Sequence, residues 1–145
     1  MSDTMPTPDE FVPERCVIVI DDALGAGHAA NAAAVIALTL GQQFPKLVGE
    51  PLVDASGTKH PGLIPIGIPV LSAEGSALAK LRRTALEQGC KIVSFPIQGQ
   101  QTTNYEAFRA AVAEIEEDDL QYVGIALVGA KKPVRKLVAN LKLLS

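Results

Sequence analysis

Asp21, Asp22 and His28 place two carboxylates and an imidazole within eight residues of one another. A histidine beside a carboxylate can act as a general base near neutral pH, with the acid fixing the ring. Gly25 and Gly27 stand between them and Asn31 follows, offering backbone that a ligand can approach and an amide to bind it. A second polar run, Gln98-Gly99-Gln100-Gln101-Thr102-Thr103, is uncharged and rich in side-chain amides. Gln98, Gln100 and Thr102 are the groups expected to hydrogen-bond a substrate. Lys131 and Lys132 open the last expected helix. Two cations there oppose the helix dipole, by roughly a few tenths of a kcal/mol. Such a placement suits an anion held between lysines and amide N–H groups.

Together these groups fit hydrolysis of an ester or amide of an anionic substrate. His28 is the expected base, Asp21 or Asp22 its orienting acid, and the lysines the holders of a charged group. The alternative is a non-catalytic module that takes a small anion or nucleotide into the same pocket. Lys59 and His60 lie between turn signals on a protruding hairpin and read as a solvated tip.

Several chemistries are disfavoured. The two histidines and two cysteines are far apart and show no metal-ligand spacing. There is no G-x-S-x-G elbow and no phosphate-binding G-x-x-x-x-G-K-[ST] loop, so no metal and no cofactor is expected. Gly25 to Ala30 formally matches G-x-G-x-x-A, but it starts too far beyond the strand and lacks the later acid of a dinucleotide site. Net charge is −3, which gives no general attraction for nucleic acid. Charge is uneven: residues 106–119 hold six acids and one base, while residues 121–145 hold five bases and no acid. No apolar run approaches a membrane span and no leader pattern is seen, so a cytoplasmic protein with two reduced, buried cysteines is expected.

The elements that must position these groups follow from the apolar pattern. Cys16-Val17-Ile18-Val19-Ile20 has no polar alternation, as in a strand buried on both faces. Residues 29–40 read as an alanine-rich helix ending at Gly41, apolar almost all round, hence covered on both sides and suited to a homodimer contact. Further strands are expected at residues 66–71, 90–97 and 122–128. Further helices are expected from Ser72 to about Gln88, after the capping box Thr103-x-x-Glu106, and around Pro133. Four strand–helix alternations in 145 residues imply one domain. Its architecture is a three-layer α/β/α sandwich around a small, mostly parallel mixed sheet, with residues 52–58 adding an antiparallel piece. Residues 1–13, polar and proline-bearing, read as a loosely held arm.

Val123-Gly124-Ile125-Ala126-Leu127-Val128-Gly129, with Val138-Ala139-Asn140-Leu141-Lys142-Leu143-Leu144, resembles the closing segment of type II peptidyl-tRNA hydrolases, a VLGIGP strand and a VTGHLKL helix. Arg15 to Ile20, then Gly27-His28 and the alanine run, is similar to that family's K-x-V-x-V-V strand, G-K-G loop and A-A-Q helix. Residues 79–102 resemble its third helix and the strand leading to DAGRTQ. The likeness covers roughly two thirds of the chain and implies a shared fold. At the chemistry the chain departs from the pattern. The family's loop lysine is His28 here, its DAGRTQ aspartate falls on Gln98, and Thr102 is what survives of that motif. These departures weigh against tRNA as a partner and leave a small anionic ligand as the expected one. The D-D/G-x-G-H-x-x-N opening also resembles an uncharacterised bacterial family with a peptidyl-tRNA hydrolase II-like fold and no assigned activity.

Overall fold

The computed structural model of the protein describes residues 12–145, so most of the expected arm lies outside the described residues. The apolar run at the start becomes β1 (Arg15–Asp21), with residues 16–20 at most 2% exposed. The chain continues through α1 (Ala26–Gln43), a small hairpin of β2 (Leu52–Val53) and β3 (Lys59–His60), β4 (Val70–Ala73) and α2 (Gly75–Glu87). Then come β5 (Lys91–Pro96), α3 (Gln98–Gln101), α4 (Tyr105–Ala113), β6 (Tyr122–Gly129), α5 (Lys131–Leu137) and β7 (Lys142–Leu143).

The five-stranded sheet has the order β5-β6-β1-β4-β7. It is mixed, and not mostly parallel as expected: β1–β4 is parallel, while β1–β6, β5–β6 and β4–β7 are antiparallel. After β5 the chain passes through α3 and α4 and comes back to the rim at which β5 ends, so β6 runs antiparallel to it, with Ile97 N–H bonding Gln121 O at 3.0 Å. As a result, the carboxyl ends of β1, β4 and β5 share one rim with the amino end of β6.

Alternation along β1 divides the interior into two cores. Cys16, Ile18 and Ile20 pack with Ala29, Ala32, Ile36 and Leu40 of α1 and with Phe108 of α4. Val17 and Val19 pack with Leu78 and Ala85 of α2 and Val134 of α5. Helices thus cover both faces of the sheet. Within one chain α1 is covered on its sheet side, and its outward side is bare, with Leu38 80% and Val35 41% exposed. Alanine supplies apolarity without bulk, so composition alone does not show how many layers surround a helix.

Several boundaries also move. β4 begins after Pro69, because the pre-proline stretch does not enter the ladder, and Ser72 lies in that strand instead of capping α2. Gly89, at φ +83°, ends the α2 segment in the left-handed region where a glycine meets no steric penalty. Asn104, and not Thr103, caps α4, its Oδ1 accepting from Ala107 N–H at 2.8 Å. The segment with β2 and β3 forms its own two-stranded sheet, not an extension of the main one.

That hairpin is held by one carboxylate. Asp54 Oδ1 accepts from Ser56 N–H at 2.9 Å and Thr58 N–H at 3.0 Å, and its Oδ2 meets His60 Nε2 at 2.9 Å. His60 first, and the Thr58 amide next, hold the Asp54 carboxyl below its ordinary range. A lowered carboxyl pKa supports the hairpin above the ordinary value of 3.8 and withdraws that support as pH falls through the lowered one. Acid titration is therefore expected to release the Ser56 and Thr58 amides in an NMR spectrum, and Asp54→Ala to release them at neutral pH. Amide shifts that stay flat through the acid range and in the variant would reject this account.

Candidate functional site

α1 starts earlier than the sequence indicates, at Ala26, so Gly27 and His28 belong to its first turn. Gly25 is the N-cap, with φ −70° and ψ 167° and no side chain to offer, and the first turn holds no acid. Ala29 N–H closes the first helical bond, to Gly25 O at 2.9 Å. The N–H groups of Ala26, Gly27 and His28 therefore have no acceptor among the described residues. They point out of the end of an 18-residue helix, where the backbone carries about half a positive charge.

A cavity of about 480 Å³ opens at this end, lined by Gly25, Gly27, His28, Asn31, Gly99 and Gln100. The two polar segments thus meet. Gln100 Nε2 donates to His28 O at 3.1 Å and ties the start of α3 to the start of α1. A Cβ placed on Gly25 or Gly27 would find nothing within 4 Å, so the backbone there is open to a ligand. The His28 ring has no hydrogen-bond or ion-pair partner among the described residues.

The other expected site residues go elsewhere. Asp21 lines a different cavity, with Gly75, Ser76 and Tyr122. It shares strand parity with Val17 and Val19 and so faces the α2 layer, not the α1 layer. Its Oδ1 accepts from Ala23 N–H at 2.9 Å. Asp22 is exposed, and its N–H bonds Ala73 O at 2.9 Å. Neither carboxylate orients His28. Gln98 and Thr102 brace α3 itself, Thr102 Oγ1 donating to Gln98 O at 2.8 Å.

Lys131 and Lys132 lie at the opposite end of the sheet from His28. They follow Gly129, which pairs with Arg15 at the start of β1, because β6 runs antiparallel to β1. Lys131 N–H bonds Glu14 Oε1 at 3.2 Å. Their local pattern was legible in the sequence, but the direction of β6 was not. Ser76, Gln121 and Tyr122, which line the Asp21 cavity, were missed. Alternation along β1 would have shown that Asp21 and His28 face different layers.

Among the described residues no group of three or more His, Cys, Asp or Glu side chains could hold a metal ion. No helix there is long and apolar enough to cross a membrane. Both cysteines are free and buried.

No curated protein matches the sequence. A protein of unknown function, Atu0240 from Agrobacterium tumefaciens strain C58, has a similar solved structure, with a TM-score of 0.81 at 24% identity over 90% of this chain and 97% of that one. At that identity the likeness concerns the fold. A family model described as protein of unknown function, DUF2000, matches residues 14–145, and the chain belongs to that family.

Proposed function

We propose that this chain is a small-anion-binding domain whose ligand carries a phosphate or carboxylate, free or as part of a nucleotide. The observation that carries the reading is the uncapped amino end of α1, which opens into a cavity shared with Gly99 and Gln100. Free amide N–H groups, the positive end of the helix dipole and the side chains of His28, Asn31 and Gln100 supply the donors that an anion needs. Binding is favoured over hydrolysis because the acid–base pair is not assembled: Asp21 faces the α2 layer and Asp22 lies in neither cavity. A hydrolase built on His28 alone would have to position its ring through the substrate.

Placing an acid in the first turn tests the reading. Ala26→Glu introduces a competing carboxylate where the anion is proposed to sit, and leaves the helix intact or more stable. Titration with inorganic phosphate, followed by NMR, is expected to shift the Gly27 and His28 amides in the native chain. Ala26→Glu should weaken that binding about tenfold or more, some 1.4 kcal/mol. Phosphate that leaves those amides unmoved, or binds the variant equally, would reject the proposal.

Three sequence expectations fit this reading. The buried free thiols support a reducing, cytoplasmic setting. The bare outward side of α1 supports a contact between two copies through Leu38 and Val35. The quoted likeness to type II peptidyl-tRNA hydrolases supports a common scaffold, without a tRNA substrate.

A further inference from the structure

The second cavity, on the α2 side of the sheet, encloses about 490 Å³ between the end of β1, the start of α2 and the segment entering β6. Its charged lining is of one sign: Asp21, Asp118 and Asp119 contribute carboxylates, and no Lys, Arg or His among the described residues lines it. The nearby Arg82 does not line it and is held by other partners at its edge. Its Nε donates to Ser94 Oγ at 2.9 Å, a terminal nitrogen lies 3.5 Å from Glu117, and the guanidinium sits 5.5 Å over the Tyr122 ring.

Two groups at this cavity are left without partners. Tyr122 is 3% exposed, yet its hydroxyl makes no hydrogen bond among the described residues. The ring is buried but the hydroxyl oxygen is not fully enclosed, so its donor and its acceptor sites are open to a ligand or water. Asp21 Oδ1 is held by Ala23 N–H, but Oδ2 has no partner among the described residues and is pressed against Gly75, where a Cβ would lie 2.6 Å from it. A glycine is what lets this carboxylate lie against the first turn of α2. Ala79, Ile97 and Leu120 supply apolar walls.

We propose that this cavity is a binding site for a small aliphatic primary amine, its ammonium received by Asp21 and Tyr122 and its alkyl stem lying against Ile97 and Leu120. Three carboxylates outweigh the roughly half positive charge at the start of α2, and the Arg82 charge over the Tyr122 ring is matched by Glu117. The side-chain geometry does not suit a metal ion. An ammonium differs from a metal in bringing directed N–H donors, which the phenol oxygen and the free carboxylate oxygen can both accept. The site is separate from the α1 cavity and stands whether or not an anion binds there.

The test titrates the full chain with butylamine, 1,4-diaminobutane and, as the uncharged counterpart, 1-butanol. The amines are expected to bind at millimolar concentration or below, and butanol not to bind. Asp21→Asn keeps the shape and removes the charge, and should weaken amine binding about tenfold or more. Tyr122→Phe keeps the ring and should weaken it several-fold. Glu87→Gln makes the same charge change at the far, exposed end of α2 and should have no effect. The proposal is overturned by butanol binding as well as butylamine, by equal loss in Asp21→Asn and Glu87→Gln, or by amines that do not bind at all.

Discussion

Replacing Ile36 by alanine is expected to remove about 2–5 kcal/mol of folding stability, and adding a methyl at Gly124 should restore part of the loss. Ile36 is 1% exposed and reaches down from α1 onto the middle of the sheet. There it meets Gly124 of β6, where a Cβ would lie 3.0 Å from Ile36 Cδ1 and 2.8 Å from Ile20 Cδ1. These two isoleucines fill the space that any other residue at 124 would claim. Gly124→Ala alone therefore overpacks the core, at about 1–3 kcal/mol. In the Ile36→Ala background one of the two obstructing methyls is gone, and the Ile20 methyl can turn into the void to admit the new one at 124, beside the Val19 carbonyl at 3.2 Å. The double variant is expected to lose less than the sum of the singles, with a coupling of about 0.5–3 kcal/mol. Urea titrations with unchanged slope would read this out as midpoint shifts. Strict additivity would mean that α1 does not seat on the sheet through this contact.

Alkaline pH is expected to remove about 3 kcal/mol of stability through Cys16 alone, two pKa units at roughly 1.4 kcal/mol each. Cys16 is 0% exposed in the middle of the β1 core, and burial pushes its thiol from an ordinary 9.0 up to about 11. Between those values the unfolded chain has lost the proton while the folded chain retains it. The native state then binds more protons than the unfolded one, so stability falls as pH rises through this window and levels off above it. Lysines and tyrosines titrate in the same range, so the measurement is the difference in pH dependence between the native chain and Cys16→Ala. Burial also raises the Cys90 thiol, giving Cys90→Ala an effect of the same sign. Below pH 9 neither thiol should react with iodoacetamide until the chain unfolds. Parallel stability curves for the native chain and Cys16→Ala, or rapid labelling of the folded protein, would refute the assignment.

The strands at β1, β5 and β6 were legible because long apolar runs leave few other readings, and the carboxyl end of α2 was marked by Gly89. β7 was not legible. Two residues after a short helix carry no periodicity, and Lys142–Leu143 becomes a strand because β4 offers it an edge. The hairpin at Asp54 was visible from its two turn signals. Its lock, an aspartate six residues from a histidine, appears only when the two strands pair.

Residue types and local spacing determined that a glycine-bearing segment follows a buried strand and that an amide-rich segment follows another. They also determined that the interior is apolar on both sides of a sheet. Only the tertiary structure decided which groups share a cavity, because that depends on strand direction and parity, which no local pattern encodes. The chain returns after α4 to the rim where β5 ends, which makes β6 antiparallel and carries Lys131 and Lys132 to the far rim. The pleat of β1 turns Asp21 toward α2 while His28 rises on the α1 side.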